Sequence, residues 1–207
     1  MSWRNRVEVS YTALKHNLQT VRQAAAPRQV VAVCKADAYG LGLERCARIY
    51  AEAGAVAIAV AALSEADRVR RAVPGVRVIL LGSPLPEERA AVVASGYEPC
   101  CSTVEEIQEF AHHARGAPHP VHVFVDTGMG RAGCRPEEVS HLVQQVRQSG
   151  TLRLAGIGSH YPMAMDGEVS TRQESVFAGV LAGLGPLGDD VLIHLANSEG
   201  LLARPAV

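Results

Sequence analysis

The sequence predicts an α/β fold in which a parallel sheet is wrapped by helices, of the (β/α)8 TIM-barrel type. Three observations carry this. Seven short runs are continuously apolar rather than alternating, as strands buried on both faces are. An amphipathic stretch at helical spacing follows each run, which is the pattern of a sheet covered by helices. The repeat is also even, without a linker, and no GxGxxG follows the first run, so a dinucleotide-binding open sheet loses its main support. A barrel needs eight units and seven are visible. The expectation is therefore one incomplete barrel domain over 1–207, about one strand short.

In order, residues 3–10 hold a short alternating piece at Val7-Glu-Val and an N-cap-like Ser10. Thr12 to Ala25 carries Leu14, Leu18 and Val21 at helical spacing, and Pro27 ends it. Val31–Cys34 is the first strand, and Leu43 to Ala53 a helix closed by Gly54. Ala55–Ala61 is the second strand, followed by a helix from Ser64 to Val73 with Ser64 as cap and Asp67 three residues on. Val76–Leu81 is a strand, then Pro86 to Ser95 a helix with Pro in its first turn and Gly96 after it. Tyr97–Cys101 is a weaker strand, and Thr103 with Glu106 forms a capping box for a helix to about Arg115. Strands at Val121–Val125 and Leu152–Ile157 flank a helix from Pro136 to Gln148. A helix over Val169 to Leu184, a strand over Val191–Leu195 and a helical start at Ser198–Ala203 complete the chain.

Composition narrows the function. With 48% hydrophobic and 20% charged residues this is an ordinary globular protein. A net charge of -1 and 4% aromatics offer no electrostatic or stacking case for nucleic acid or an anionic membrane. No apolar run reaches the length that crosses a bilayer. Cys34, Cys46, Cys100, Cys101 and Cys134 are odd in number and lack metal-ligand spacing. They read as reduced thiols of a cytoplasmic protein, and no metal site is expected.

In a barrel the active site lies at the C-terminal ends of the strands. Four polar features fall there: Lys35 after the first strand, Asp126-Thr-Gly-Met-Gly-Arg-Ala-Gly133 after the fifth, Ser159-His-Tyr161 after the sixth, and His194-Leu-Ala-Asn-Ser198 after the seventh. Each has a plain alternative. Lys35 can be a strand-end lysine reaching back to water along its own stem, or a partly desolvated amine fit for Schiff-base chemistry. Asp126 can simply cap a glycine turn, or the glycines around Arg131 can let backbone approach a ligand. His160 can be a satisfied core histidine. Asn197-Ser198 can be an N-cap, or a helix start that binds phosphate. Tyr39 is a turn aromatic or a phenol donating to the same phosphate, and Cys34, pointing away from Lys35, is packing. Together an amine, a phosphate cradle and an arginine describe a site for pyridoxal 5′-phosphate.

Lys-Ala-Asp-Ala-Tyr-Gly at 35–40, Asp-Thr-Gly-Met-Gly-Arg-Ala-Gly at 126–133, His-Leu-Ala-Asn-Ser at 194–198 and the opening Ala13-Leu-Lys-His-Asn17 closely resemble the motifs of the alanine racemase family. The resemblance implies that family's amino-terminal barrel, with pyridoxal 5′-phosphate as cofactor and a small amino acid as substrate. It implies that Lys35 carries the cofactor as a Schiff base and then serves as the base on one face of Cα. Tyr39 and Ser198, with Asn197 beside them, would bind the phosphate. Arg131 would hold the cofactor's phenolic oxygen and, with Met129, the substrate carboxylate, and His160 would lie by the pyridine ring. It also implies a homodimer for a full-length form and D-alanine supply to the cell wall. Phe124 departs from the pattern, standing where many relatives have a lysine that supports the arginine. The family's eighth-strand arginine and its β-domain tyrosine, the opposite-face base, have no counterpart here, and Tyr161 is the nearest substitute. A carrier barrel without racemase activity and a serine or broad-specificity racemase are the other readings, with barrel decarboxylases behind them.

Overall fold

The structure is a computed structural model and describes residues 7–204. Its elements are α1 (Tyr11–Ala25), β1 (Val31–Val33), a one-turn segment α2 (Lys35–Tyr39), α3 (Leu43–Glu52), β2 (Ala57–Val60), α4 (Leu63–Ala72), β3 (Val78–Leu80), α5 (Arg89–Ser95), β4 (Glu98–Cys101), α6 (Val104–His113), β5 (His119–Phe124), α7 (Val139–Gln148), β6 (Leu152–Gly158), α8 (Gly167–Gly183), β7 (Leu192–His194) and α9 (Ser198–Ala203). The opening residues from Val7 to Ser10 form no strand; Trp3 lies outside the described residues.

All strand pairs are parallel, and their order in the sheet is their order in the chain, β1 to β7. A doubly wound sheet reverses its strand order part-way across, so this topology selects the singly wound barrel. Seven strands curl without a β1–β7 pair among the described residues, leaving Val33 and Ile193 partly open to solvent at the two edges.

Alternate side chains of each strand serve two different cores. Outward residues such as Ile58, Val60, Leu80, Val123 and Ile157 pack against Val69, Ile107, Phe110, Val143 and Phe177 of the surrounding helices. Inward residues Ala57, Ala59, Ile79, Cys100 and Phe124 form a smaller cluster inside the sheet's curl. Phe124 is thus a filler of the barrel interior. Cys34 and Cys46 are fully buried in the outer core; burial, reinforced by Cys46 and Glu65, pushes the Cys34 thiol up to about 12. That is an inert packing residue, as its parity suggests.

Three helix starts differ in detail from expectation. In α4 the cap position is Ala62, not Ser64, and the Glu65 carboxylate takes the Ala61 and Ala62 amides at 3.0 and 3.3 Å. A carboxylate at the third helical position can accept the orphan amides that a hydroxyl cap leaves. The helices expected from Pro86 and from Pro136 each open with a 3-10 turn, Pro86–Glu88 and Pro136–Glu138, before α5 and α7. For α6 the capping box forms as read: Thr103 Oγ1 accepts from the Glu106 amide at 3.2 Å, and Glu106 accepts from Ser102 at 2.6 Å.

Candidate active site

Lys35 stands two residues beyond the end of β1, at the C-terminal end of the sheet, as the first residue of α2, and is half-buried. The turn that follows it has an unusual hand. Ala36, Asp37, Ala38 and Tyr39 all have φ between 52° and 56°, a left-handed helical turn built from L-residues and closed by Gly40 at φ 84°. Left-handed helix costs roughly 1–2 kcal/mol for each L-residue, so such a turn persists only where its surroundings hold it. Two groups of α4 do so. Glu65 Oε1 accepts from the Ala36 amide at 2.7 Å and the Asp37 amide at 3.4 Å. Arg68 donates to Asp37 at 2.7 Å and, through Nε and Nη2, to both Glu44 oxygens at 2.6 and 2.9 Å. Asp37 also accepts the first amide of α3, from Leu43, at 3.1 Å. Hydrogen bonds from that amide and from Arg68 hold the Asp37 carboxyl below its usual range. Tyr39, at the end of the turn, is exposed.

After β5 the chain forms a closed loop that presents Arg131. Asp126 Oδ1 accepts from the amides of Gly128, Met129 and Gly130 at 2.9, 2.8 and 3.1 Å. Burial opposes ionisation of Asp126, but these three amides win and its pKa is lowered. The loop returns on itself: Asp126 N–H donates to the Cys134 carbonyl and Cys134 N–H to that of Phe124, both at 2.9 Å. Gly133, with φ 117°, has no room for a side chain, since a Cβ would sit 2.4 Å from the Asp126 nitrogen. The plain reading of Asp126 as a turn cap is therefore correct, and the cap is what shapes the loop. Arg131 projects from it into solvent, and Met129 is half-buried.

His160 follows β6 and is half-buried. Its pKa is lowered by burial first, then by the charge of Arg131 and then by that of Lys35. The two cations, which follow β5 and β1, thus both act on the ring that follows β6. Neither Lys35 nor Arg131 has a carboxylate or hydrogen-bonding partner among the described residues. Two cations without a carboxylate partner, both acting on one half-buried imidazole, form a locally electropositive patch.

Asn197 is the N-cap of α9. Its Oδ1 accepts from the Gly200 amide at 2.7 Å and its Nδ2 donates to the Tyr161 carbonyl at 3.4 Å, while Ser198 opens the helix with its side chain exposed. Tyr161 lies buried beneath this helix, with its hydroxyl donating to Glu174 at 2.8 Å. Burial and that carboxylate push the phenol pKa up. Tyr161 is a pillar under α9, and its hydroxyl is engaged away from the rim.

Sequence reading missed a polar chain through the barrel interior. Arg77 grips Glu98 with two bonds of 2.7 Å; Glu98 Oε2 lies 3.1 Å from His122 Nε2, and His122 Nδ1 lies 3.1 Å from His194 Nε2. His122 and His194 sit on β5 and β7, with β6 between them. They meet because β6 has no side chains in the way: a Cβ on Gly156 would lie 2.2 Å from His122, and one on Gly158 2.0 Å from His194. A register shift between Val121 and His122 sets Gly156, rather than Ala155, opposite His122. The signals were present as isolated polar residues on apolar strands and as two glycines within one strand. Glu65, Asp37 and Arg68 were missed because their partners lie far apart in sequence.

Residues 9–207 match the family model described as alanine racemase, N-terminal domain. An alanine racemase from Nostoc sp. is 32% identical over 208 residues, covering 96% of this chain and 54% of that protein. Among solved structures, alanine racemase from E. faecalis superposes with a TM-score of 0.90 at 28% identity, covering 96% of this chain and 55% of that one. Alanine racemase from Bartonella henselae with covalently bound pyridoxal phosphate gives 0.85 at 27%, covering 94% and 57%. A histidine racemase from Leuconostoc mesenteroides gives 0.85 at 25%, covering 93% and 53%. The chain spans about half the length of the relatives it matches.

Proposed function

The chain belongs to the alanine racemase family through its amino-terminal domain, and on that premise we propose that it is the cofactor-holding half of a pyridoxal-phosphate-dependent amino-acid racemase acting on alanine. One observation carries the reading: Lys35, Arg131 and His160 follow β1, β5 and β6 at the same end of the parallel sheet, and both cations, without an ion-pair partner among the described residues, act on the His160 ring. The donor set suits the cofactor and an amino acid together, offering an amine for an aldehyde, cations and hydroxyls for a phosphate and a carboxylate, and an imidazole kept neutral by burial beside an aromatic ring.

Each residue has a role. Lys35 would hold the cofactor through Nζ, and its free amine would exchange the α-proton on one face of the substrate. Tyr39 and Ser198 hold the phosphate by their hydroxyls, and Asn197 fixes the helix start that presents Ser198. Arg131, carried on the Asp126 loop with Met129 beside it, takes the carboxylate. When bound, pyridoxal phosphate withdraws the electron pair left on the α-carbon as its proton departs. With Tyr161 tied to Glu174, the described residues offer no tyrosine at the rim for the opposite face other than the phosphate-binding Tyr39. The described residues accordingly hold the cofactor and one of two bases. The setting is D-alanine supply in the cytoplasm. A cofactor carrier without racemase activity is the second reading, favoured by the engagement of the Tyr161 hydroxyl with Glu174.

Addition of pyridoxal phosphate to the purified chain is expected to produce a near-violet absorbance band that Lys35→Ala abolishes. No band in the unaltered chain would return Lys35 to a solvent-seeking strand end. Alanine racemisation is expected to be slow in the isolated chain; its complete absence alongside a strong band favours the carrier.

A further inference from the structure

We infer that Glu65 is a positioning residue for Lys35: its carboxylate joins the rim of β2 to the left-handed turn, and this joint fixes the backbone from which the lysine reaches its ligand. The inference rests on the reading of Lys35 as the cofactor-binding amine.

Four glutamates of this chain accept amides at the start of a helix. Glu88 takes the Leu85 amide, Glu138 takes that of Arg135, and Glu106 takes those of Ser102 and Thr103. Each of these serves its own helix start and nothing else. Glu65 differs. One oxygen caps α4 in the same way, through Ala61 and Ala62, and the other crosses to Ala36 and Asp37. Those are the two residues immediately after Lys35, and they are the first two of the four left-handed residues. The turn has no helix-cap side chain of its own to direct these amides, since Cys34 at its start makes no side-chain bond. Arg68 holds the far side of the same turn through Asp37. Removing Glu65 leaves two amides of a strained turn without an acceptor, one residue from the amine.

The chemistry to be read out is condensation of the Lys35 amine with the cofactor aldehyde: a C=N bond forms between Nζ and the aldehyde carbon, and the carbonyl oxygen leaves as water. Lys35 and Lys15 are the only lysines in the sequence, so reduction with borohydride followed by peptide mapping assigns the label without ambiguity. Glu106→Ala serves as the control, because it removes an equivalent capping carboxylate that touches no site-bearing turn. The four proteins to compare are the unaltered chain, Glu65→Ala, Glu65→Gln and Glu106→Ala, each titrated with pyridoxal phosphate. Near-violet absorbance and Lys35 labelling are measured beside the thermal midpoint and amide hydrogen exchange at Ala36 and Asp37.

The expected result is a loss of thermal stability in both alanine variants, but a tenfold or greater rise in apparent dissociation constant only in Glu65→Ala. Exchange at Ala36 and Asp37 should quicken in that variant alone. Glu65→Gln, which keeps one carbonyl acceptor, should recover part of the affinity. Equal affinity in Glu65→Ala and the unaltered chain overturns the positioning role while leaving the cofactor reading intact, as does an equal loss in Glu106→Ala. Absence of the band and of Lys35 label in the unaltered chain overturns the cofactor reading, and the positioning role with it.

Discussion

At the scale of single residues, the most constrained positions are ones without side chains. Gly158 has no unusual backbone angle; what it lacks is space, because His194 lies 2.0 Å from where a Cβ would stand. Gly158→Ala should therefore cost about 2 kcal/mol by chemical denaturation, in the range for overpacking a filled core. His194→Ala in the same chain should return part of that loss, since it removes the ring that the methyl strikes. An additive double variant would show that the glycine answers to something else. Residues also differ most in how legible they are. Lys35, Arg131 and His160 were found because they break apolar or glycine-rich patterns at strand ends, and the structure brings them within electrostatic reach. Glu65 and Arg68 were invisible, because charged residues in an amphipathic helix are the ordinary expectation. Ser64 attracted the cap assignment because a hydroxyl before an apolar run is the usual signal, and only geometry reveals that Glu65 holds those amides.

At the scale of elements, the Asp126–Gly133 loop behaves as a unit. Its shape depends on one carboxylate accepting three amides, and on glycines where the chain turns back against β5. Asp126→Ala should destabilise the protein by about 2 kcal/mol, the scale of losing hydrogen bonds to a charged acceptor. Asp126→Asn, which retains the Oδ1 acceptor, should lose much less. Denaturation midpoints of the two variants check this, and equal losses would assign the effect to charge rather than to loop shape. The seven strands and their helices were legible from apolar runs and caps because packing and local preference agree there. The left-handed turn was not legible: Ala-Asp-Ala-Tyr has no local preference for positive φ, and its conformation is imposed from α4.

For the molecule as a whole, the polar chain Arg77–Glu98–His122–His194, buried at Glu98 and His122, ties the start of β3 to β4, β5 and β7 and makes stability depend on acid. For Glu98, burial favours the neutral form, but bonds from Arg77 and His122 outweigh it and hold the pKa at about 2, against 4.5 for an isolated group. A depressed carboxylate contributes stability above its unfolded pKa, here about 3 kcal/mol, and loses it as pH falls through the folded value. His194 acts in the same direction. Burial, then the neighbouring His122, lower its pKa from 6.5 to about 3, so below pH 6.5 protons bind the unfolded chain first. Stability should be flat from about pH 6.5 to about 8, below the range where thiols ionise, decline as pH falls below 6.5, and fall further between pH 4.5 and 2. Glu98→Gln should remove the lower part of that decline while leaving the upper part; an unchanged profile would show that the pair does not govern acid unfolding. Strand order in the sheet decides barrel over open sheet, which the sequence could only favour through its even spacing.

The turn at Ala36–Tyr39 carries one more consequence. It is a patch of mirror-image helix in a chain of L-residues, and its handedness comes from Glu65 and Arg68, about thirty positions downstream. A peptide spanning 31–42 contains the whole lysine motif and none of what gives it that hand. The conformation next to Lys35 is thus a report on whether α4 has docked, and the amine is shaped only in a molecule whose second βα unit is already in place.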